Sequence, residues 1–291
     1  MLYEIYVVAT SMLAQFAETA PYWASGLVLG SLISVYLSAG IADRMSGLSG
    51  VGVVGRGASV CVAAVLGVVS PLCMYGTIPV IAALGKKGVP QHLLAAFMIS
   101  SVLLNPNLFL LGFVLGAHIA LARLGLALLA GVLAGAGVLV FRKSPLFSFE
   151  RFDPKDKGKK RLLPDLLKAF RITAPYLLLG ITITALFNRY IPPHWVSAMF
   201  GARQGIGVLF AASLSIPLYA CGGGIIPLIR AWLFAGMGYG DALAFMIAGP
   251  ATKITNLAAV KMILGAKNFV LYLAYAIGFA VAVGLIVEIM F

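Results

Sequence analysis

Two cysteines stand in matched positions of the chain, each six residues before a proline. Cys73 opens the segment Cys-Met-Tyr-Gly-Thr-Ile-Pro, and Cys221 opens the segment Cys-Gly-Gly-Gly-Ile-Ile-Pro. Thiolates are good ligands for soft, thiophilic species. Two thiols that face one site would therefore suit a thiophilic solute, whereas the alternative is that both serve as small apolar residues of helices. Cys61 has no aligned partner, and we expect it to serve packing alone.

The same two segments contain glycine and proline, which disfavour regular helix. Glycine costs about 1 kcal/mol and proline about 3 kcal/mol in a helix interior. Interrupted backbone in hydrocarbon must be satisfied by protein or by a water-filled cavity, and matched interruptions in two repeats indicate a transport site. We therefore predict that a broken-helix solute site contains Cys73, Gly76, Pro79, Cys221, Gly224 and Pro227.

Polar residues mark a second pair of interrupted segments, Ser100–Asn107 and Gly249–Asn256. Asn105 lies in the first of them and aligns with Lys253 in the second at an offset of 148 residues. Polar side chains at membrane depth have a functional role by default. A buried lysine binds an anion or carries a proton, although it also pairs internally with carbonyls. We predict that Asn105, Thr252 and Lys253 line the site.

Catalytic and cation-binding signals are missing from the apolar segments. Asp43 and Asp241 lie near predicted span ends, and Glu288 lies near the end of the chain. There is no Gly-x-Ser-x-Gly elbow, no phosphate-binding loop and no His-Glu-x-x-His motif. The sequence therefore predicts no enzyme, no cofactor and no metal site, and it favours a neutral or anionic solute over a cation.

Membrane helices are the elements that must position these residues. The chain of 291 residues is 62% hydrophobic and 10% charged, whereas a soluble domain is about 45–50% apolar and about 25% charged. Apolar runs about as long as a membrane-spanning helix recur along the whole sequence. We predict an all-α polytopic membrane protein whose surroundings are the lipid bilayer, and we exclude a soluble enzyme.

The chain contains an internal repeat. Residues 16–22 and 170–176 share a Thr-Ala-Pro-Tyr sequence at an offset of 154, and eleven of the 27 residues from 73 to 99 recur 148 residues later. We predict a first transmembrane repeat over 1–141, a basic linker with a surface helix over 142–169, and a second repeat over 170–291. In the first repeat, a surface helix over 4–17 would precede a membrane span over 21–42.

The basic linker sets the predicted orientation. Ten Lys or Arg residues lie between 142 and 171, and such loops stay in the cytoplasm; a nucleic-acid site is the disfavoured alternative. No basic residue opens the chain, so a cleavable signal peptide is not predicted. With the linker inside and both termini outside, the repeats are inverted and Arg123, Arg189 and Arg203 lie outside. Parallel repeats with four full spans each remain the less favoured alternative.

The paired motifs resemble those of a family of predicted permeases that includes bacterial efflux permeases for trivalent organoarsenicals. They are Pro71-Leu-Cys-Met-Tyr-Gly-Thr-Ile-Pro79 and Ala248-Gly-Pro-Ala-Thr252, and the resemblance covers nearly the whole chain. Cys73 matches the first cysteine of the family's Cys-x-Cys pair, and Tyr75 stands at the second. The resemblance implies a permease of the inner (plasma) membrane and makes efflux of a thiophilic metalloid the leading specific hypothesis.

The sequence thus predicts a secondary transporter of a small neutral or anionic solute. A channel-like facilitator of a small anion or sulfur compound is the alternative, and an intramembrane enzyme is less favoured. A homodimer is compatible with the sequence, although no motif specifies one.

Overall fold

The computed structural model describes residues 2–32, 52–72, 74–141, 146–147, 205–219, 225–234 and 236–290, with scattered positions between 163 and 189. Throughout these ranges the regular structure is helical and contains no strand, which confirms the predicted all-α class. The helices are α1 (Leu2–Leu32), α2 (Gly52–Val69), α3 (Met74–Lys86), α4 (Gln91–Leu103), α5 (Pro106–Gly112), α6 (Ala117–Phe141), α7 (Ile206–Leu218), α8 (Ile225–Phe234), α9 (Tyr239–Thr252) and α10 (Ile254–Met290).

Two stretches of described helix are long and apolar enough to cross a membrane, namely α6 and residues 263–290 of α10. A third span arises if α4 is joined with residues 108–115, which continue it across a bend of 46°. The helices α2, α3 and α7 are apolar but shorter. At 1.5 Å per helical residue, α6 and residues 263–290 of α10 are long enough to cross the hydrocarbon layer of a bilayer.

The helix α1 departs from the sequence prediction. A surface helix over 4–17 and a separate span from Pro21 are wrong, since one helix continues from Leu2 to Leu32 with Pro21 inside it. Proline in a helix interior removes a single backbone hydrogen bond, and transmembrane helices tolerate this loss. Pro21 therefore does not end the helix.

The helices α4 and α9 occupy the centre of the described structure. Every residue from Leu93 to Leu103 and from Gly240 to Thr252 is buried. The helix α4 packs between α2 and α6, α9 packs between α7 and α10, and α4 and α9 also contact each other. Glycines allow these close approaches, because a Cβ added at Gly67 would lie 2.7 Å from the Phe97 carbonyl oxygen of α4.

Two residues of the predicted linker are tied to the helical core. Leu146 and Phe147 are buried. The Leu146 N–H donates to Oε1 of Gln91 at the start of α4, and its carbonyl accepts a hydrogen bond of 2.7 Å from Nδ2 of Asn268 on α10. This pair of bonds connects the beginning of α4 with α10.

Candidate functional site

The predicted site residues differ in what the structure describes. Cys73, Cys221 and Gly224 lie outside the described residues, and Pro227 is described only through its helical backbone in α8. The cysteine pair therefore stays a prediction. Cys61, which was expected to pack, is instead exposed on α2.

From Met74 onward the first cysteine motif is helical, although the sequence predicted a break there. The helix α3 includes Gly76 and Pro79, so an interruption over these residues is wrong. The chain leaves helix earlier, at Ser70–Leu72. There the Ser70 hydroxyl donates to the Gly67 carbonyl at 2.7 Å and so helps to end α2. Pro79 remains inside α3 because a proline in that position removes only one backbone donor.

Buried hydroxyls connect this motif to the end of α4. Oγ of Ser101 on α4 lies 3.1 Å from Oγ1 of Thr77, the residue that follows the buried Gly76 on α3. Both side chains are at most 1% exposed. Buried hydroxyls need such partners because an unmatched one costs about 1–3 kcal/mol. The contact places the Gly76 segment against the C-terminal turn of α4.

The predicted interruption near Asn105 is confirmed. Leu104 is extended, and Asn105 caps the N-terminus of α5 by accepting a hydrogen bond of 2.9 Å from the Leu108 N–H at its Oδ1. Pro106 occupies the first turn of α5, where its missing N–H is not needed. The half-buried Asn105 side chain thus keeps its amide N–H groups as donors while its oxygen holds the new helix.

The predicted interruption between Gly249 and Asn256 is also confirmed. Lys253 leaves helical geometry between α9 and α10, and only 6% of this residue is exposed. Three side chains satisfy the carbonyls around the break. The Thr252 hydroxyl donates to Ala248 at 2.7 Å, Nδ2 of Asn256 donates to Pro250 at 3.1 Å, and the Tyr272 hydroxyl donates to Ala251 at 2.9 Å.

An arginine that the sequence analysis assigned to the outer side of the membrane is buried within the protein, and its side of the membrane stays a prediction. Arg123, on α6, is only 2% exposed. Its Nη2 lies 3.4 Å from the Leu103 carbonyl, 3.3 Å from the Met246 carbonyl and 3.3 Å from the Tyr219 hydroxyl. The guanidinium therefore joins α6 to the two central helices and to the end of α7.

The helix interruptions themselves create two of these acceptors. Pro250 has no N–H, so the Met246 carbonyl lacks the donor that a regular helix would give it. The Leu103 carbonyl lies at the end of α4, where helical donors run out. The sequence held a signal for Arg123: it is the seventh residue of the apolar 25-residue helix α6, and an ionisable residue inside such a stretch usually has a function.

The Tyr219 ring reaches Arg123 because Gly249 leaves room for it. A Cβ at Gly249 would overlap the Tyr219 ring. The centroid of that ring also lies 6.1 Å from the ring centroid of Phe245, which is on α9 like Gly249. Gly249 and Pro250 thus make two separate contributions to the contacts of Arg123. Glycine admits the phenol, and proline frees the carbonyl that the guanidinium contacts.

Two other charged residues, Asp241 and Arg230, make contacts of a different kind. Asp241 was expected at a span end, and it does lie in the first turn of α9, but it is buried with its carboxylate against Gly207 of α7. Arg230 is exposed on α8, with its guanidinium carbon 5.7 Å from the Phe234 ring centroid. Among the described residues, no three His, Cys, Asp or Glu side chains are grouped closely enough to hold a metal ion.

Comparison with known proteins places the chain among membrane permeases. A family described as "Predicted permease" matches residues 2–289. The UPF0718 protein YcgR of Bacillus subtilis is 25% identical over 285 residues, which cover 93% of each chain. A Streptococcus mutans protein named "Putative two-component membrane permease complex subunit" is 23% identical over 84% of this chain and 82% of its own.

A further match is partial. The UPF0718 protein MJ0584 of Methanocaldococcus jannaschii is 27% identical over 135 residues, which are 46% of this chain and 37% of that protein. No solved structure matches the chain. The family match and the apolar helices together indicate an integral membrane protein.

Proposed function

The chain belongs to the family of predicted permeases, and from this premise we propose that it is a secondary transporter of a small neutral or anionic solute. One observation carries the proposal: the two central helices α4 and α9, buried from Leu93 to Leu103 and from Gly240 to Thr252, contact each other, and each is interrupted beside a polar residue. Interrupted helices in the middle of a membrane protein are where transporters bind their solutes. Family membership favours a transporter over an enzyme.

We further propose that the two halves, 1–141 and 170–291, are copies of one unit. Helix boundaries support this: α4 begins at 91 and α9 at 239, which is the offset of 148 seen in the sequence. Glycines with positive φ support it as well, since Gly88 pairs with Gly236 at that offset. Inverted repeats with a cytoplasmic linker in the plasma membrane belong to the same proposal.

Polar groups at the interruptions favour a neutral or anionic solute. Lys253 brings a buried ammonium to the end of α9, and Asn105 brings amide donors to the end of α4. Both groups present N–H donors, which suit the oxygens of a solute rather than a cation. Alternating movement of the two halves would expose these groups to one side of the membrane and then to the other.

The identity of the solute belongs to the proposal too. A trivalent arsenical would use the thiols of Cys73 and Cys221, which are soft ligands. A small oxyanion or sulfur compound would use Lys253 and Asn105 instead. The name of the Streptococcus mutans relative describes a subunit of a two-component complex. A complex with a second protein is therefore a candidate assembly beside the homodimer.

Flux in proteoliposomes tests the proposal. Methylarsenite, sulfate, sulfite and thiosulfate are offered to the wild type, Lys253→Met and Lys261→Met. Lys261 is the matched control because it is exposed on α10, eight residues beyond the buried Lys253. We expect saturable flux of one solute. If that solute is one of the three oxyanions, its flux should fall at least about tenfold in Lys253→Met and stay unchanged in Lys261→Met.

Five results decide between the alternatives. Flux of none of the four solutes, or equal flux of an oxyanion in Lys253→Met and the wild type, would contradict the proposed site. Methylarsenite flux that disappears in both Cys73→Ser and Cys221→Ser would support metalloid efflux, and flux that survives both would exclude the thiol site. Linear, non-saturating flux would favour a channel.

A further inference from the structure

The Arg123 guanidinium places a positive charge inside the protein, and all of its described contacts are neutral. The three acceptors around Nη2 are two backbone carbonyls and a phenol hydroxyl. An arginine side chain stays protonated in proteins. Burial of a charge costs several kcal/mol unless an opposite charge compensates it. Carbonyl dipoles offset only part of that cost.

The guanidinium also has more donors than its contacts use. Nη2 carries two N–H groups for three acceptors, and the distances of 3.3–3.4 Å exceed the usual range of about 2.7–3.2 Å. Nε and Nη1 together carry three further N–H groups, and these two buried nitrogens have no hydrogen-bond partner in the part of the chain that the structure describes. A side chain that served only to cap carbonyls would not need these donors.

We propose that Arg123 binds a small oxyanion and is an anion-binding residue of the transport site, in addition to Lys253 and Asn105. A planar guanidinium with several unpaired N–H groups matches the oxygens of an oxyanion and supplies the opposite charge. The proposal rests on the proposed function and narrows its solute from a neutral or anionic compound to an oxyanion.

The position of Arg123 suits this role. Its contacts reach the end of α4 at Leu103, the middle of α9 at Met246, and Tyr219 at the end of α7. An oxyanion bound there would touch a residue that connects both interrupted helices. Bound solute would then favour one arrangement of α4 and α9 over another, as a transporter needs.

Binding to the full chain in a neutral detergent tests the assignment. The midpoint of thermal unfolding is measured against rising sulfate, thiosulfate or phosphate, with chloride keeping the ionic strength constant. A ligand that binds the folded state raises this midpoint in a saturable way. We expect one oxyanion to do so for the wild type, with an affinity at least about tenfold weaker in Arg123→Gln and intermediate in Arg123→Lys.

Arg230→Gln is the matched control, because Arg230 is exposed on α8 and stacks on Phe234. It should bind the oxyanion as the wild type does. Absence of saturable binding by the wild type, or equal affinities for Arg123→Gln and Arg230→Gln, would overturn the proposal. If Arg123→Gln does not fold, unchanged binding in both Arg123→Lys and Tyr219→Phe would overturn it instead.

A lipid headgroup and a free oxyanion would present similar oxygens to Arg123, and added lipid distinguishes them. If phosphatidylglycerol added to the detergent stabilises the protein and none of the oxyanions does, the anion is a lipid headgroup and the solute proposal is wrong. Because the assay measures binding alone, Arg123-dependent binding without flux in liposomes would contradict the transporter and leave the anion site. Flux of a neutral solute without oxyanion binding would support the transporter and contradict the anion site.

Discussion

The central helices α4 and α9 both end at an interruption beside a polar residue, but different hydrogen bonds stabilise the two interruptions. The helix α4 ends beside Asn105, whose own side chain caps the helix that follows. The helix α9 ends at Lys253, whose ammonium has no acceptor atom and so cannot cap a helix N-terminus. There the carbonyls around the break are satisfied by Thr252, Asn256 and Tyr272.

This difference lies in which side chains support the backbone at each interruption. In the first half, one residue holds the interruption and its oxygen is occupied by that task. In the second half, three neighbouring side chains hold the interruption, so the buried residue at the break itself can be a lysine. A broken helix can therefore carry a buried charge when other residues take over its hydrogen bonds.

The largest effect should come from a methyl group added to Gly249. Its Cβ would overlap the Tyr219 ring, so Gly249→Ala should lower the free energy of unfolding by about 3 kcal/mol. Without that overlap, alanine would stabilise the helix by about 1 kcal/mol. The sign of the change in the free energy of unfolding therefore shows whether the overlap exists. Chemical unfolding in detergent micelles measures it.

Ser101 is the residue 148 positions earlier and provides the control. Ser101→Ala removes one hydroxyl from the contact with Thr77 and creates no overlap. It should cost about 1 kcal/mol. A stabilised Gly249→Ala protein would show that the Tyr219 ring is not seated on α9.

An intermediate effect is expected where the second interruption depends on Asn256. Asn256→Leu keeps the number and branching of the side-chain heavy atoms but removes the hydrogen bond to the Pro250 carbonyl and leaves that buried oxygen unsatisfied. The free energy of unfolding should fall by about 2 kcal/mol. The exposed Lys261→Met on the same helix should stay within about 0.5 kcal/mol of the wild type. Equal stabilities would mean that the break does not need this side chain.

The smallest effect should come from the cap at the first interruption. Asn105→Ala removes the acceptor for the Leu108 N–H and should cost about 1 kcal/mol. Asn105→Asp keeps an acceptor and should restore most of that stability. Thermal unfolding of both variants measures the difference. If Asp and Ala were equally destabilising, the cap would not explain why the polar residue is there.

Local sequence signals predicted some interruptions and misjudged others. Asn-Pro at 105–106 and Gly-Pro at 249–250 indicated breaks, and the structure has a break near each. Pro21 and Pro79 gave the same kind of signal, yet both lie inside helices. A proline removes only one hydrogen bond, so packing of the surrounding helix decides whether the helix continues.

The predicted site shows the same division. Burial of Thr252 and Lys253 followed from their place in an apolar segment, and the structure bears it out. The role of Arg123 did not follow, because its orientation was inferred from a rule about charges at span ends. That rule describes loops, whereas Arg123 lies within α6.

The sequence by itself determined the membrane class, the all-helical fold and the two interruptions, since composition and local backbone preferences act over a few neighbouring residues. Only the tertiary structure decided what meets Arg123. Its three acceptors lie 20, 96 and 123 residues away along the chain, and no local pattern encodes such distances. The packing of α4, α6, α7 and α9 brings these atoms together, and in a bilayer such packing is held by close van der Waals contact and by hydrogen bonds between helices.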